Sequence, residues 1–192
     1  MSFLTGTSSE LLYSSIATGT QLNTFTTEDN LMKTLPICII PAGFFYNTQG
    51  ATGKALRVKA FGRLGTTGAP TFTWSVRLLT STTWSAAGLA MSSAALTAGT
   101  TQTLAPWYLD FEIVMRTLAT TNASTVAMSG EIRSPLGLAS PFAGTLPGNN
   151  IAFTVTTFDA TVSNYLFLSA ACGTSNALNL IQLEVLKVFG EN

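Results

Sequence analysis

The chain has 192 residues, nine basic and nine acidic, no histidine, and a charged fraction of only 9%, against roughly 25% in an ordinary soluble domain. The missing imidazole excludes Ser-His-Asp and Cys-His catalysis and the commonest zinc sites, and the balanced charge leaves no basic footprint for nucleic acid or an anionic membrane. A surface so poor in charge suits a subunit covered by neighbours better than a free monomer.

Residues 1–33 carry isolated apolar anchors, Phe3, Leu4, Leu22 and Phe25, among many Ser and Thr. Such a segment orders only against another surface, so an extended N-terminal arm is expected. The alternative is that residues 11 to 30 add edge strands to their own domain. Residues 34–192 are expected to form that domain. Leu35 to Ile40 is an apolar run whose Pro36 places it at an edge or a strand start. Phe44, Phe45 and Tyr46 follow in a loop, and three consecutive aromatics cannot all point inward. Together with the four arm anchors they are the candidate interface residues.

Leu56 to Leu64 and Thr71 to Leu79 alternate with period two, the signature of half-buried strands. In the second run Phe72, Trp74, Val76 and Leu78 share a face. The first run sets Leu56, Val58, Ala60 and Gly62 against Arg57, Lys59, Phe61 and Arg63. The Gly/Thr/Pro loop between them reads as a hairpin connection. After a Ser/Thr/Ala/Gly-rich stretch, Trp107 to Arg116 alternates again, with Tyr108, Asp110, Glu112, Val114 and Arg116 outward. Thr125 to Arg133, Ile151 to Phe158, Asn164 to Cys172 and Leu178 to Phe189 complete eight or nine strands, and no amphipathic helical period longer than about two turns competes with them. The fold expected is an all-β sandwich or barrel. Its core is expected to draw on Leu56, Val58, Phe72, Trp74, Val76, Trp107, Leu109, Phe111, Ile113, Ile181, Leu183 and Val185.

Chemistry-bearing residues are sparse. Asp110 and Glu112 sit two apart on one strand face. A glycosidase would need two carboxyls flanking a cleft with unequal pKa values, whereas a ladder opposite Arg57, Lys59, Arg63 or Arg77 needs only cross-strand pairing, and the ladder is expected. Glu28-Asp29 lacks the loop of oxygen ligands that calcium requires. Cys38 and Cys172 read as small buried hydrophobes rather than a disulfide. Phe44, Phe45, Tyr46, Trp84 and Tyr108 form either a stacking platform for sugars or, by preference, packing and interface surface. No catalytic, cofactor or metal residue is expected. No basic segment followed by an apolar core opens the chain, and Leu35 to Tyr46 is too short to span a bilayer, so a soluble product of a cytoplasm is expected.

The order of features resembles a family of tailed-bacteriophage structural proteins with a jelly-roll domain, found as capsid decoration proteins and in tail or fibre components. The matching elements are Leu11-Leu12-Tyr13, Ile40-Pro41-Ala42-Gly43-Phe44-Phe45, Lys54 to Arg63, the turn into Phe72 to Leu78, Pro106 to Asp110 with Arg116, and the closing Leu178 to Val188. The resemblance spans about residues 10 to 189. It implies a jelly-roll β-sandwich with an N-terminal arm, a homo-oligomer, most simply a trimer, and the major capsid protein or neighbouring virion subunits as partners. It implies a location on the virion capsid surface, and the balanced charge already speaks against nucleic acid and membrane as partners. It carries no active-site residue. The function implied is a capsid decoration, or cement, protein; the alternative is a tail- or fibre-associated module that holds a host glycan.

Overall fold

A computed structural model describes residues 9–46, 54–119, 123–134, 142–148 and 154–191. Every alternating run becomes a strand. In chain order these are β1 (Ser9–Ser15), β2 (Asp29–Asn30), β3 (Cys38–Ile40), β4 (Ala55–Thr66), β5 (Thr71–Leu79), β6 (Leu89–Ser92), β7 (Leu96–Thr97), β8 (Gln102–Thr117), β9 (Ser124–Ser134), β10 (Phe142–Leu146), β11 (Thr154–Phe158), β12 (Asn164–Cys172) and β13 (Leu180–Glu191). The described residues contain no helix.

The strands form two antiparallel sheets packed as a β-sandwich. The larger runs β1-β13-β4-β8-β9-β10, with β11 also on β9, and the smaller runs β2-β12-β5-β6, with β3 on β12 and β7 on β5. Strands β4 and β5 are neighbours in sequence but lie in opposite sheets, and so do β12 and β13. Since β4 pairs with β13 and β5 with β12, the two couples make one antiparallel ribbon folded over the edge of the sandwich, the winding of a jelly roll. The loop after β4 is therefore a corner between sheets rather than the expected hairpin. Gly68 at φ 68° and Ala69 at φ 54° turn it, and each strand finds its hydrogen bonds with a different partner.

Alternation places one face of each sheet inside. Leu56, Val58, Ala60 and Leu64 of β4, Trp107, Leu109, Phe111, Ile113 and Met115 of β8, and Phe72, Trp74, Val76 and Leu78 of β5 are all buried. Trp74 and Trp107 meet across the sandwich with ring centroids 6.1 Å apart. Gly62 lies beside this pair: a Cβ there would run into the Gln182 backbone carbonyl of the neighbouring β13 and would lie 2.7 Å from the Trp107 ring.

Eleven of the twelve expected core residues are buried; Val185 is not. The pairing of β13 with β4 slips between Leu183 and Val185. This β-bulge at Glu184 reverses the inward parity of the rest of the strand, so that Leu186 and Val188 enter the core and Val185 turns outward.

The expected arm is part of the sandwich from Ser9 onward. Strand β1 pairs with β13, Leu22 bridges Ile181, and β2 pairs with β12. Leu22, Phe25, Leu31 and Met32 are core residues. The segment finds its ordering surface on its own domain, as edge strands and as a cover on the smaller sheet.

One buried ion pair fixes that cover. Arg77, on the outer face of β5, donates from Nε and Nη2 to both carboxylate oxygens of Glu28 at 2.6 and 2.5 Å, and Ser169 Oγ donates to the same carboxylate. Burial works to raise the Glu28 carboxyl, but the hydrogen bonds from Arg77 and Ser169 and the charge of Arg77 outweigh it and hold the group below its ordinary value. Cys38 and Cys172 are both buried and unbridged, and burial pushes the Cys38 thiol up to about 12, which leaves it protonated and inert.

Two expectations follow. Gly62→Ala would drive its Cβ into the Gln182 backbone carbonyl of β13 as well as into the Trp107 ring and should cost about 3 kcal/mol or more, whereas Phe61→Ala, one residue away but outward, should stay within about 1 kcal/mol; urea denaturation of both variants checks the contrast. Because the folded Glu28 carboxyl titrates below its unfolded value of about 4.3, its contribution is complete above that pH and is lost as pH falls through the lower folded value. Glu28→Gln should cost about 2 kcal/mol or more at neutral pH by leaving Arg77 buried without its counter-charge, and the gap to wild type should narrow in acid, as read from thermal midpoints across a pH series.

Candidate functional site

The expected interface residues separate on folding. Leu22, Phe25, Phe44 and Phe45 lie in the protein's own core. Phe45 packs edge-on against Phe44 at 5.1 Å and Phe158 at 5.3 Å. These four are consumed by the sandwich because the segments bearing them close its edge and one end. Tyr46 is 38% exposed, with its hydroxyl donating to the Ala119 carbonyl at 2.9 Å. Phe3 and Leu4 lie outside the described residues.

The surface offers a different constellation on the outer face of the larger sheet. Register brings side chains from four strands into rows. One row is Val185 of β13, Phe61 of β4, Tyr108 of β8 and Arg133 of β9; the next is Lys187, Lys59, Asp110 and Glu131. Phe61 and Tyr108 are 43% and 45% exposed, and their rings are 6.4 Å apart at 38° to one another. A shallow groove of about 290 Å³ runs over both rows.

Most of the charges around the aromatic pair are held by each other. Arg57 donates two hydrogen bonds to Asp110, from Nε at 2.9 Å and Nη2 at 2.7 Å, the cross-strand ladder expected from the sequence. The Arg57 guanidinium, helped by Lys59 and Arg133, holds the Asp110 carboxyl below its ordinary value against a smaller opposing effect of burial. Arg63 meets Glu184 at 3.2 Å, and Arg133 lies 3.8 Å from Glu131. The bulge at Glu184 thus has a local consequence: it sends one carboxylate to Arg63 and turns Val185 out beside Phe61.

This arrangement has little capacity for chemistry. Asp110 is ionised and bound to arginine, so it is no general acid, and Glu112 stands opposite Arg57. Glu28 and Asp29 are taken by Arg77 and Lys33. No group of three or more metal-ligating side chains occurs among the described residues. What the face offers is two solvent-accessible aromatic rings bordered by fixed polar groups, the ordinary makeup of a recognition surface.

A larger cleft of about 610 Å³ opens at one end of the sandwich between residues 78–90 and 158–164. Its carboxylate and amide are engaged in local structure: Asp159 accepts from Thr161 N and Oγ1, and Asn164 Nδ2 donates to the carbonyls of Asp159 and Val162. Phe158 on its wall is buried, so it presents no open ring, and the sheet face is the better candidate. Trp84, named with the aromatics, is half-buried in the loop beside this cleft. Of the site residues, Tyr108, Asp110, Lys59 and Phe61 were all placed outward by alternation. Val185 and Lys187 were not, because the bulge that aims them leaves no mark in the residue pattern.

No known protein family matches the chain, and neither does any curated protein. Among solved structures it is similar to the CBM2 module of the evolved Dit of Lactobacillus casei BL23 phage J-1, at 13% identity and a TM-score of 0.39, with 97% of each chain covered. It is also similar to peanut lectin crystallised with a nine-residue peptide, at 8% identity and a TM-score of 0.36, again with 97% of each chain covered. Likeness at this level is one of architecture and brings no site, ligand or assembly with it.

The Arg57–Asp110 pair is solvent-accessible, so Asp110→Asn should cost no more than about 1 kcal/mol. Calorimetry should find the thermal midpoint of the variant within a few degrees of wild type, with Arg57 released into the groove.

Proposed function

We propose that this protein is a non-catalytic, saccharide-binding β-sandwich module, working as a tail- or fibre-associated component of a bacteriophage virion. The observation that carries the binding function is the Phe61–Tyr108 pair, exposed on a sheet face and bordered by charged groups, among them the paired Arg57–Asp110 and Arg63–Glu184. A pyranose presents a C–H-lined face that packs on an aromatic ring, and hydroxyls at its rim that bond to carboxylates and guanidinium groups. Strands place such groups more accurately than loops do. The virion setting rests on the resemblance in the sequence and is part of the proposal.

A second reading, the capsid decoration protein, is favoured by a different surface. Leu11 and Ile16 on and after β1, and Ile37 and Ile39 on and before β3, are exposed, and Tyr13 links the two segments through its bond to the Pro36 carbonyl. This edge, uncharged apart from Glu10, suits a neighbouring subunit, in a homotrimer or on a shell. Imaging of particles separates the two settings: copies at one vertex fit the tail or fibre, and copies spread regularly over the head fit decoration.

Phe61→Ala and Tyr108→Ala should each weaken saccharide binding by about tenfold or more, from the apolar contact removed, while leaving the thermal midpoint close to wild type. Glycan-array screening followed by titration calorimetry measures it. Binding that survives both substitutions would place the site elsewhere.

A further inference from the structure

The charged row beside the aromatic pair is segregated by sign. Across the sheet it runs Lys187, Lys59, Asp110, Glu131, two cations on β13 and β4 followed by two acids on β8 and β9. Like charges directly opposite one another on neighbouring strands are destabilising, so each half of the row needs compensation.

The acidic half has it on both strands. Asp110 is held by two hydrogen bonds from Arg57, and Glu131 has Arg133 on its own strand at 3.8 Å. The cationic half has it on one strand only. Lys59 lies 3.8 Å from Asp110, whose two oxygens are already engaged by Arg57. Lys187 forms no ion pair among the described residues, and the residues opposite it are Lys59 on one side and the neutral Ser14 on the other. Both ammonium groups border the groove that exposes Phe61.

Resting on the saccharide-binding reading above, we infer that the ligand is an acidic saccharide whose ring packs on Phe61 and Tyr108 and whose carboxylate is received between Lys59 and Lys187. A carboxylate there removes the repulsion between the two cations and gives each a charge-assisted partner. A neutral sugar would leave the two cations facing each other. The proposal therefore fixes both the class of ligand and its direction in the groove, with the acid group toward β13.

The test uses the full chain against polygalacturonate, hyaluronate and polysialate, with dextran, mannan and methyl-esterified polygalacturonate as neutral counterparts. Expected is binding to one or more of the acidic polymers, loss of that binding on esterification or at high salt, and a fall of about tenfold or more in the Lys59→Ala/Lys187→Ala variant. The Lys→Arg double variant should restore binding, and folding should be unchanged in both. Equal binding to neutral and acidic polymers overturns this inference and leaves the saccharide reading standing. Acidic binding indifferent to both lysines also overturns it. Failure to bind any saccharide on these polymers or on a broad glycan array overturns both.

Discussion

The contact between Trp74 and Trp107 sets the parity of the whole molecule. Each indole is the largest inward side chain of its strand, and Gly62 leaves room beside the Trp107 ring and the Gln182 carbonyl that a Cβ would fill. Side chains alternate with a period of two, so a slip of one residue would bring out every buried residue of a strand. With Trp107 inward, Tyr108 must be outward; with Gly62 inward, so must Phe61. The aromatic pair on the surface is the complement of the pair in the core.

Much of this was legible in the sequence. Runs such as Phe72 to Leu78 and Trp107 to Arg116 alternate without interruption, and such a pattern admits one buried face. Phe61, an aromatic in a row of cations at Arg57, Lys59 and Arg63, was the one side chain on that polar face for which solvation gave no reason. Three features were hidden. Leu183, Glu184 and Val185 continue a perfect alternation straight through the bulge, which answers to pairing with β4 rather than to composition. The anchors Leu22, Phe25, Leu31 and Met32 follow no period, because the segment bearing them is mostly irregular and enters the core at isolated points. Residues 65–70 have the composition of a hairpin turn, yet whether such a turn joins two paired strands or two sheets depends on what else each strand pairs with.

The two outer faces of the sandwich are unlike. Ser75, Arg77, Phe167 and Ser169 project from the smaller sheet but are buried, since the segment carrying Glu28 lies over them. Among the described residues the larger sheet carries no such cover, and Arg57, Lys59, Arg63, Arg133 and Lys187 all lie on it with Asp110, Glu112, Glu131 and Glu184. In a chain with so few charges this concentration leaves the remaining surface mostly Ser, Thr, Ala and aliphatic. The molecule therefore has an electrostatically distinctive side and a bland one, a division of labour that fits holding a small ligand on the first and a neighbour on the second.

The position of β13 has a consequence for the order of events during synthesis. Strands β1 and β4 are made early, and each pairs with β13 on opposite sides. Until residues 180–191 have left the ribosome, β1 has no strand partner among the described residues, β4 keeps one raw edge, and Leu22 lacks its bridge to Ile181. Pairings of such long sequence separation form slowly and leave sticky edges open in the meantime. A nascent chain of this design stays vulnerable to misassociation until its closing strand arrives, and that one strand then seals both edges together.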